Sequence, residues 1–292
     1  MKQRKPFQSA VLSALGVLSF AVGPAVGVAG SDKTNGSPVD IDVSFEQIFR
    51  AEPDPALPAF SYREYGVDLE WHVVLLGFEH REYSWRAGVK TDPWGSLTRL
   101  SPGLQYYRTF NDTWGVWALC YAMAGFEDDI TSRSWTYNPQ LIGLYARTEP
   151  LIFYLGAGAL YHPVDPVYYP ILGLAWNPDT ETGWSGSLGF PDTIIRYRFS
   201  ARWALKADFH WEIRTYRLAD DNPAAPGGYM RSEDLIPGLH AAFYPAGNLT
   251  LTAGARRHLH RSLQLYDGDE RKLEDTDVDS AWSMMITARY VF

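Results

Sequence analysis

The most regular pattern in the chain is a two-residue alternation. Between Trp203 and Thr215, Trp203, Leu205, Ala207, Phe209, Trp211, Ile213 and Thr215 occupy one set of positions, and Ala204, Lys206, Asp208, His210, Glu212 and Arg214 the other. Successive side chains of a strand point to opposite faces, whereas a helix would scatter both classes around its circumference. The segment therefore reads as a strand with one oily and one ionic face. Tyr65 to Leu75 repeats the rule, with Val67, Leu69, Trp71, Val73 and Leu75 opposite Asp68, Glu70 and His72. Ile194 to Phe199 sets Ile195, Tyr197 and Phe199 against Arg196 and Arg198. A soluble sandwich also alternates, but its strands usually run about five to six residues. A strand that crosses a bilayer needs about 9 to 11, apolar outside and polar inside, with aromatic residues at both interfaces.

Connection lengths give an independent test, because membrane barrels join their strands by short turns on one side and long loops on the other. Reading back from the C-terminus, Leu263 to Ser280 is long, Pro245 to Gly247 short, Ala219 to Glu233 long and Ser200 to Arg202 short. Upstream, the short Asn111 to Thr113 and Arg147 to Pro150 alternate with the longer Glu127 to Ser134 and His162 to Pro166. Between Gly77 and Thr109 the pattern is ambiguous, and Phe78 to Trp85 reads either as a new strand or as an extension. The prediction is an all-β, antiparallel up-and-down barrel over residues 60–292, with about twelve strands, or fourteen if that region divides; an even count keeps both ends on one side.

Composition narrows the class. The 292 residues are 46% hydrophobic and 15% aromatic, with a formal charge of -8, which argues against a nucleic-acid partner because phosphate binding needs a clustered basic face. A mean hydropathy of -0.23 is too polar for a bundle of membrane helices. The single cysteine, Cys120, forbids an internal disulfide and reads as a small apolar residue. Lys2, Arg4 and Lys5 precede an uncharged run from Val11 to Ala29 that ends in small residues, the pattern of a secretory signal peptide over residues 1–29. Residues 30–59, with Pro38, Pro53, Pro55 and Pro58, read as a flexible lead-in of low order.

The last residues place Trp282, Met284, Ile286, Ala288, Tyr290 and Phe292 on one face. This ending resembles the C-terminal signal of Gram-negative outer-membrane β-barrel proteins, and the stretches Thr193 to Phe199 and Trp203 to Leu218 are similar to outer-membrane families of unknown function. The resemblance implies outer-membrane localisation, contact with outer-membrane lipid, and recognition of Met284, Ile286, Ala288, Tyr290 and Phe292 by the barrel assembly machinery. It implies no catalytic residue.

For function, the inward face supplies Asp68, Glu70, His72, Arg196, Arg198, Lys206, Asp208, His210, Glu212, Arg214 and Arg289 as lumen-lining candidates. Arg196 or Arg198 is expected to face Asp208 or Glu212. These charges suit either a narrow channel for small solutes or a structural barrel filled by ion pairs. An alternative is a lipid hydrolase or deacylase using His260 as base and Ser262 as nucleophile, with His258 and His260 on one face. Ser132-Arg133-Ser134-Trp135 is similar to a stretch of the outer-membrane phospholipase family, but it precedes the histidine-serine pair and Thr136 replaces the orienting Asn. The acids Asp267, Asp269, Glu270, Glu274, Asp275, Asp277 and Asp279 lie in one segment, yet Ser280 and Ile286 occupy the glycine and glutamate positions of a calcium loop, so a solvated loop is expected. No cofactor or metal is expected.

Overall fold

A computed structural model describes residues 39–53, 57–86, 92–148, 151–162, 164–177 and 182–292. The strands are β1 (Val39–Ala51), β2 (Phe60–Trp71), β3 (Val74–Trp85), β4 (Ser96–Thr109), β5 (Trp114–Phe126), β6 (Trp135–Thr148), β7 (Leu151–Leu160), β8 (Val167–Trp176), β9 (Gly183–Phe190), β10 (Asp192–Arg198), β11 (Trp203–Arg217), β12 (Tyr229–Ala246), β13 (Leu249–Tyr266), β14 (Lys272–Val278) and β15 (Ala281–Val291). Neighbours in sequence pair antiparallel from β1 to β13, and β15 joins β13 to β1, closing a barrel of 14 strands. β14 pairs with the upper part of β13 in the register that β15 continues below Asp279 and Ser280, so it extends the last strand beyond the ring. Closure leaves the ring without an edge, which is what allows a sheet to stand in lipid.

The outer surface bears out the alternation. Val43, Phe45, Val67, Phe78, Leu104, Leu141, Leu155, Leu172, Leu205, Leu239, Leu251 and Ile286 are exposed large apolar side chains. Near the short turns they give way to aromatic pairs: Trp114 with Tyr145 at 4.7 Å, Trp184 with Tyr197 at 4.8 Å, Trp203 with Phe243 at 4.6 Å and Tyr290 with Phe292 at 4.6 Å between ring centres. An apolar band ending in an aromatic girdle is the exterior of a transmembrane barrel.

Two expectations are corrected. Residues 39–51, placed in the low-order lead-in, form β1, which closes the ring between β2 and β15. The prolines around them hid an alternation of Val39, Ile41, Val43 and Phe45 with Asp40, Asp42, Ser44 and Glu46. The leader expected over residues 1–29 lies outside the described residues. Tyr65 to Leu75 is not one strand: the chain reverses at His72, whose φ of 55° makes the turn, and β3 starts beyond it with Leu75 facing inward. With Gly77 to Thr109 divided between β3 and β4, the count is the larger of the two expected.

The long outer connections are also more ordered than their composition suggests. β13 and β14 consume most of Leu263 to Ser280, leaving a turn in which Asp267 Oδ1 accepts the N–H groups of Asp269 and Arg271, both at 2.9 Å. The segment after β11 folds over the mouth: Leu218, Asn222 and Ala225 are buried, and Asn222 Nδ2 donates to the Pro93 carbonyl at 2.6 Å and to Glu127 Oε2 at 2.8 Å. Trp94, Leu57, Phe60, Leu97, Met230 and Leu263 complete an apolar roof.

One strand loses a neighbour part-way: β11 stays paired with β12 up to Arg217 and Tyr229 but parts from β10. The β9–β10 hairpin ends at Phe190 and Asp192, and β10 accompanies β11 only as far as the Asp192–His210 pairing. Above that level β11 leans across the lumen to β5, where Arg217 pairs in parallel with Phe126 and the Glu127 N–H donates to the Arg217 carbonyl at 2.9 Å. The approach requires Gly125, since a Cβ there would collide with the Thr215 carbonyl. Trp211 and Ile213, expected to face lipid, are therefore interior: Ile213 belongs to a buried cluster, and Trp211 packs on Tyr169 at 5.7 Å and Phe190 at 5.3 Å. The interior is thereby divided into two unlike regions.

Candidate functional site

The candidate site is the lumen. On the side of β5–β8 its wall is apolar: Trp117, Leu119, Ile142, Leu144, Ile152, Tyr154, Tyr169 and Ile171 form one buried cluster. The polar tips of the tyrosines are satisfied locally, Tyr169 donating to Asn138 Oδ1 at 2.8 Å and Tyr154 sharing a 2.8 Å hydrogen bond with Ser187.

The other side, built by β1–β4 and β11–β15, is ionic. Arg81 Nε donates to Glu64 Oε2 at 2.7 Å, Arg99 Nη2 to Glu79 Oε2 at 2.7 Å, and Arg214 bridges Glu212 at 2.6 Å, Glu79 at 3.1 Å and Glu64 at 3.4 Å. Tyr216 donates its hydroxyl to Glu79 Oε1 at 2.9 Å. Three arginines thus hold three glutamates between four strands, each arginine nine-tenths buried or more. Burial at this depth is tolerable only because each charge meets an opposite one at hydrogen-bonding distance.

Below this network, β10, β11 and β12 carry alternating acids and imidazoles. His210 Nδ1 lies 2.7 Å from Asp192 Oδ1, His210 Nε2 3.5 Å from Asp208 Oδ1, and His240 Nε2 3.0 Å from Asp208 Oδ2, which Lys206 Nζ also approaches at 3.0 Å. The Asp208–His240 contact needs Gly238, whose missing side chain leaves the space that both groups fill.

A third cluster lies between β1, β12, β13 and β15. Ser283 donates its hydroxyl to Glu46 Oε1, His258 Nε2 lies 3.2 Å from the same oxygen and 3.3 Å from Ser283 Oγ, and Asp234 Oδ1 lies 3.9 Å from His258 Nδ1. The order serine, histidine, aspartate is that of a nucleophile relay, but the protons run the wrong way. Arg261 Nη2 approaches His258 Nδ1 at 3.4 Å and can only donate, so Nδ1 is the acceptor and Nε2 carries the hydrogen that goes to Glu46. A base must present a bare nitrogen to its serine.

The sequence candidates separate accordingly. Asp68, Lys206, Asp208, His210, Glu212, Arg214 and Arg289 point into the lumen, Arg289 pairing with Asp40 at 2.5 Å. Glu70 accepts a 2.5 Å hydrogen bond from Gln105. His72 does not line the lumen, since it sits exposed in the β2–β3 turn. Arg196 is set opposite Lys206 rather than Asp208 and donates to Ser185 Oγ at 2.9 Å. Arg198 closes the β10–β11 turn through the Ala201 carbonyl at 2.6 Å and stacks over Tyr244 at 4.3 Å. His260 and His258 are not on one face. A bulge against β12, with φ of 45° at His260, turns His260 outward while His258 and Arg261 both face in. Among the described residues no hydrogen bond joins His260 to Ser262. Trp282, Met284, Ile286, Ala288 and Tyr290 share the outward face of β15.

Glu46, Glu64, Glu79, Arg81, Arg99 and Arg261 are not among the candidates of the sequence analysis. Glu64 lies on the same face as Asp68 and Glu70, and Glu79 with Arg81 alternates with Phe78, so period two would have found them once the turn at His72 was recognised.

No protein-family model matches the chain, and no curated protein sequence matches it. Among solved structures it is similar to NanC porin, with 9% identity over 86% of this chain and 98% of that one and a TM-score of 0.39. It is similar also to an outer membrane channel from Pseudomonas putida F1, with 12% identity over 90% and 100% and a TM-score of 0.43. The toluene transporter TodX of Pseudomonas putida aligns with 9% identity over 89% and 90% and a TM-score of 0.32.

Proposed function

We propose that the protein is an outer-membrane channel for a small solute, exported by a cleaved leader over residues 1–29, with the ionic side of the lumen as its selective path. The observation that carries this reading is the contrast inside one barrel. Where only stability is needed, the β5–β8 wall fills its interior with Trp117, Ile142, Leu144 and Ile152. Buried ion pairs can often be replaced by apolar residues at little or no cost in stability, so a barrel under no other demand has no need of Arg81, Arg99 and Arg214 at 1%, 3% and 8% exposure. Charges held inside membrane proteins mark solute and ion pathways. With three arginines balanced by three glutamates, a small change in their number decides the sign of the permeating ion. The outward row of Met284, Ile286, Ala288, Tyr290 and Phe292 is the segment we assign to the assembly machinery.

The test is single-channel conductance of the folded protein in a planar bilayer. Discrete steps are expected, and Lys206→Gln with Arg214→Gln should move the reversal potential toward cation selectivity. A silent bilayer containing demonstrably folded protein would replace the channel by a structural barrel, for which the apolar roof over the mouth is the supporting feature.

A further inference from the structure

The outside of the barrel is uneven at the height of its long loops. Beside the ends of β6, β7 and β8 the exposed side chains are Tyr137, Tyr161 and Tyr168, rings without charge. On β1–β3 the same level is cationic: Arg63 is exposed on β2, and Arg50 and Arg86 stand at the ends of β1 and β3. Between the last two lies an open depression of about 480 Å³, within the range of about 300–1,000 Å³ that ligand clefts span. The local sequence makes it. β1 bulges there, with Phe49 and Arg50 together opposite Ser61, so that both are exposed. Ser61 faces Ser84 across β2 and β3, and these short hydroxyl side chains form a floor between the longer Phe49, Arg50 and Arg86. Gln47 borders the depression and is held by Arg63, whose Nε donates to Gln47 Oε1 at 3.2 Å. Glu82 stands opposite Arg63, so the surplus of positive charge lies at the depression itself. Arg50 pairs with Glu52 at 2.6 Å through Nε, yet its side chain is 62% exposed. Among the described residues no carboxylate pairs with Arg86. Below, Phe45, Tyr65, Val67 and Phe78 form an exposed apolar strip on the same three strands. A basic depression with a hydroxyl floor, set above a lipid-facing strip, matches both halves of one kind of molecule.

We propose that this flank binds a phosphorylated glycolipid of the outer leaflet. Its phosphate lies between Arg50 and Arg86 in charge-assisted hydrogen bonds, and its sugar rests on Ser61 and Ser84 beside Phe49. Its acyl chains run down the strip from Phe45 to Phe78. The long loops put this end of the barrel at the outer leaflet. The site depends on placement in the outer membrane and not on whether the lumen conducts.

Native mass spectrometry of the folded protein in detergent micelles, titrated with lipid A, counts the lipid retained. Lipid A should bind, and dephosphorylated lipid A, which lacks the charge, and phosphatidylglycerol, which lacks the sugar, should each bind about tenfold more weakly or worse. Glucosamine phosphate, a headgroup without acyl chains, should bind about a hundredfold more weakly. Arg50→Gln with Arg86→Gln should weaken lipid A about tenfold or more, whereas Arg108→Gln, at an exposed arginine near the short-turn end of β4, should leave it unchanged. Heat-modifiable gel mobility confirms that each variant is folded. If the double variant does not fold, Ser61→Trp, which fills the floor, should weaken lipid A by a similar factor and decides the matter. Equal binding of lipid A with and without its phosphates would overturn the proposal. So would phosphatidylglycerol or glucosamine phosphate binding as tightly as lipid A, or unchanged affinity in the double variant or in Ser61→Trp.

Discussion

Ile142 on β6 and Arg81 on β3 are each 1% exposed, and each sits among close neighbours inside the same barrel. Around Ile142 the contacts are with Trp117, Leu144 and Ile152, which are many, weak and interchangeable. Around Arg81 they are Glu64 at 2.7 Å and Glu79 at 3.4 Å, which are few, directed and mutually dependent. The apolar side should respond to damage in proportion to the volume removed. The ionic side should respond according to what is left without a counter-charge, so that one substitution can cost more than two.

The largest effect is expected on the ionic side. Asp234→Ala strands Arg261, which it now holds at 2.7 Å, and should cost about 3–5 kcal/mol, read from urea unfolding of the barrel in lipid vesicles. Converting both partners, Asp234→Leu with Arg261→Met, should recover most of that loss, and a double variant no more stable than the single one would erase the distinction between the two sides. On the apolar side, Ile142→Ala should cost about 2–4 kcal/mol and leave ion selectivity untouched. A shift in reversal potential in that variant would show that the solute path is not confined to the charged wall.

A smaller effect concerns pH. His162, in the β7–β8 connection, is pushed down from 6.5 to about 4, first because burial disfavours its charged form and further because Arg231 is near. Its folded value lies below its unfolded one, so its neutral form favours folding. That contribution is complete above about pH 6.5 and declines as the pH falls toward 4. Replacing His162 by Phe should flatten the stability profile between those limits; an unchanged slope would place the titration elsewhere. The smallest effect belongs to the exposed pair Lys272 and Asp275, at 2.9 Å but with side chains 43% and 49% exposed, where Asp275→Ala should change stability by less than about 0.5 kcal/mol.

How far the sequence could be read follows the same division. Period-two alternation is a property of single strands, and wherever a strand stays in the wall it gave the correct inward and outward faces, as in Trp203 to Asp208 and Trp282 to Tyr290. It misplaced residues where the chain departs from a regular strand. His72 reverses the chain, His260 inserts a bulge that changes parity, and upper β11 parts from β10 and turns to β5, so the rule set His72 inside, His260 beside His258, and Trp211 against lipid. The strand over residues 39–51 was legible, its alternation being as regular as any other, but the surrounding prolines dominated the reading. The pairing of Glu46 with His258 and Ser283, or of Arg214 with Glu64, depends on closure between strands far apart in sequence, and no local pattern encodes it.

The parting of β11 from β10 also bears on how this chain tolerates change over evolutionary time. Along an ordinary barrel strand, every second position faces lipid and accepts most apolar residues, so mutations accumulate in a striped pattern. From Trp211 to Arg217 that freedom is missing. Ile213 is packed into one compartment, Arg214 and Tyr216 are packed into the other, and Thr215 lies against Gly125. A saturation library across β11 should therefore show stripes from Trp203 to Phe209 and a solid block of intolerance above, marking the height at which one wall becomes a partition.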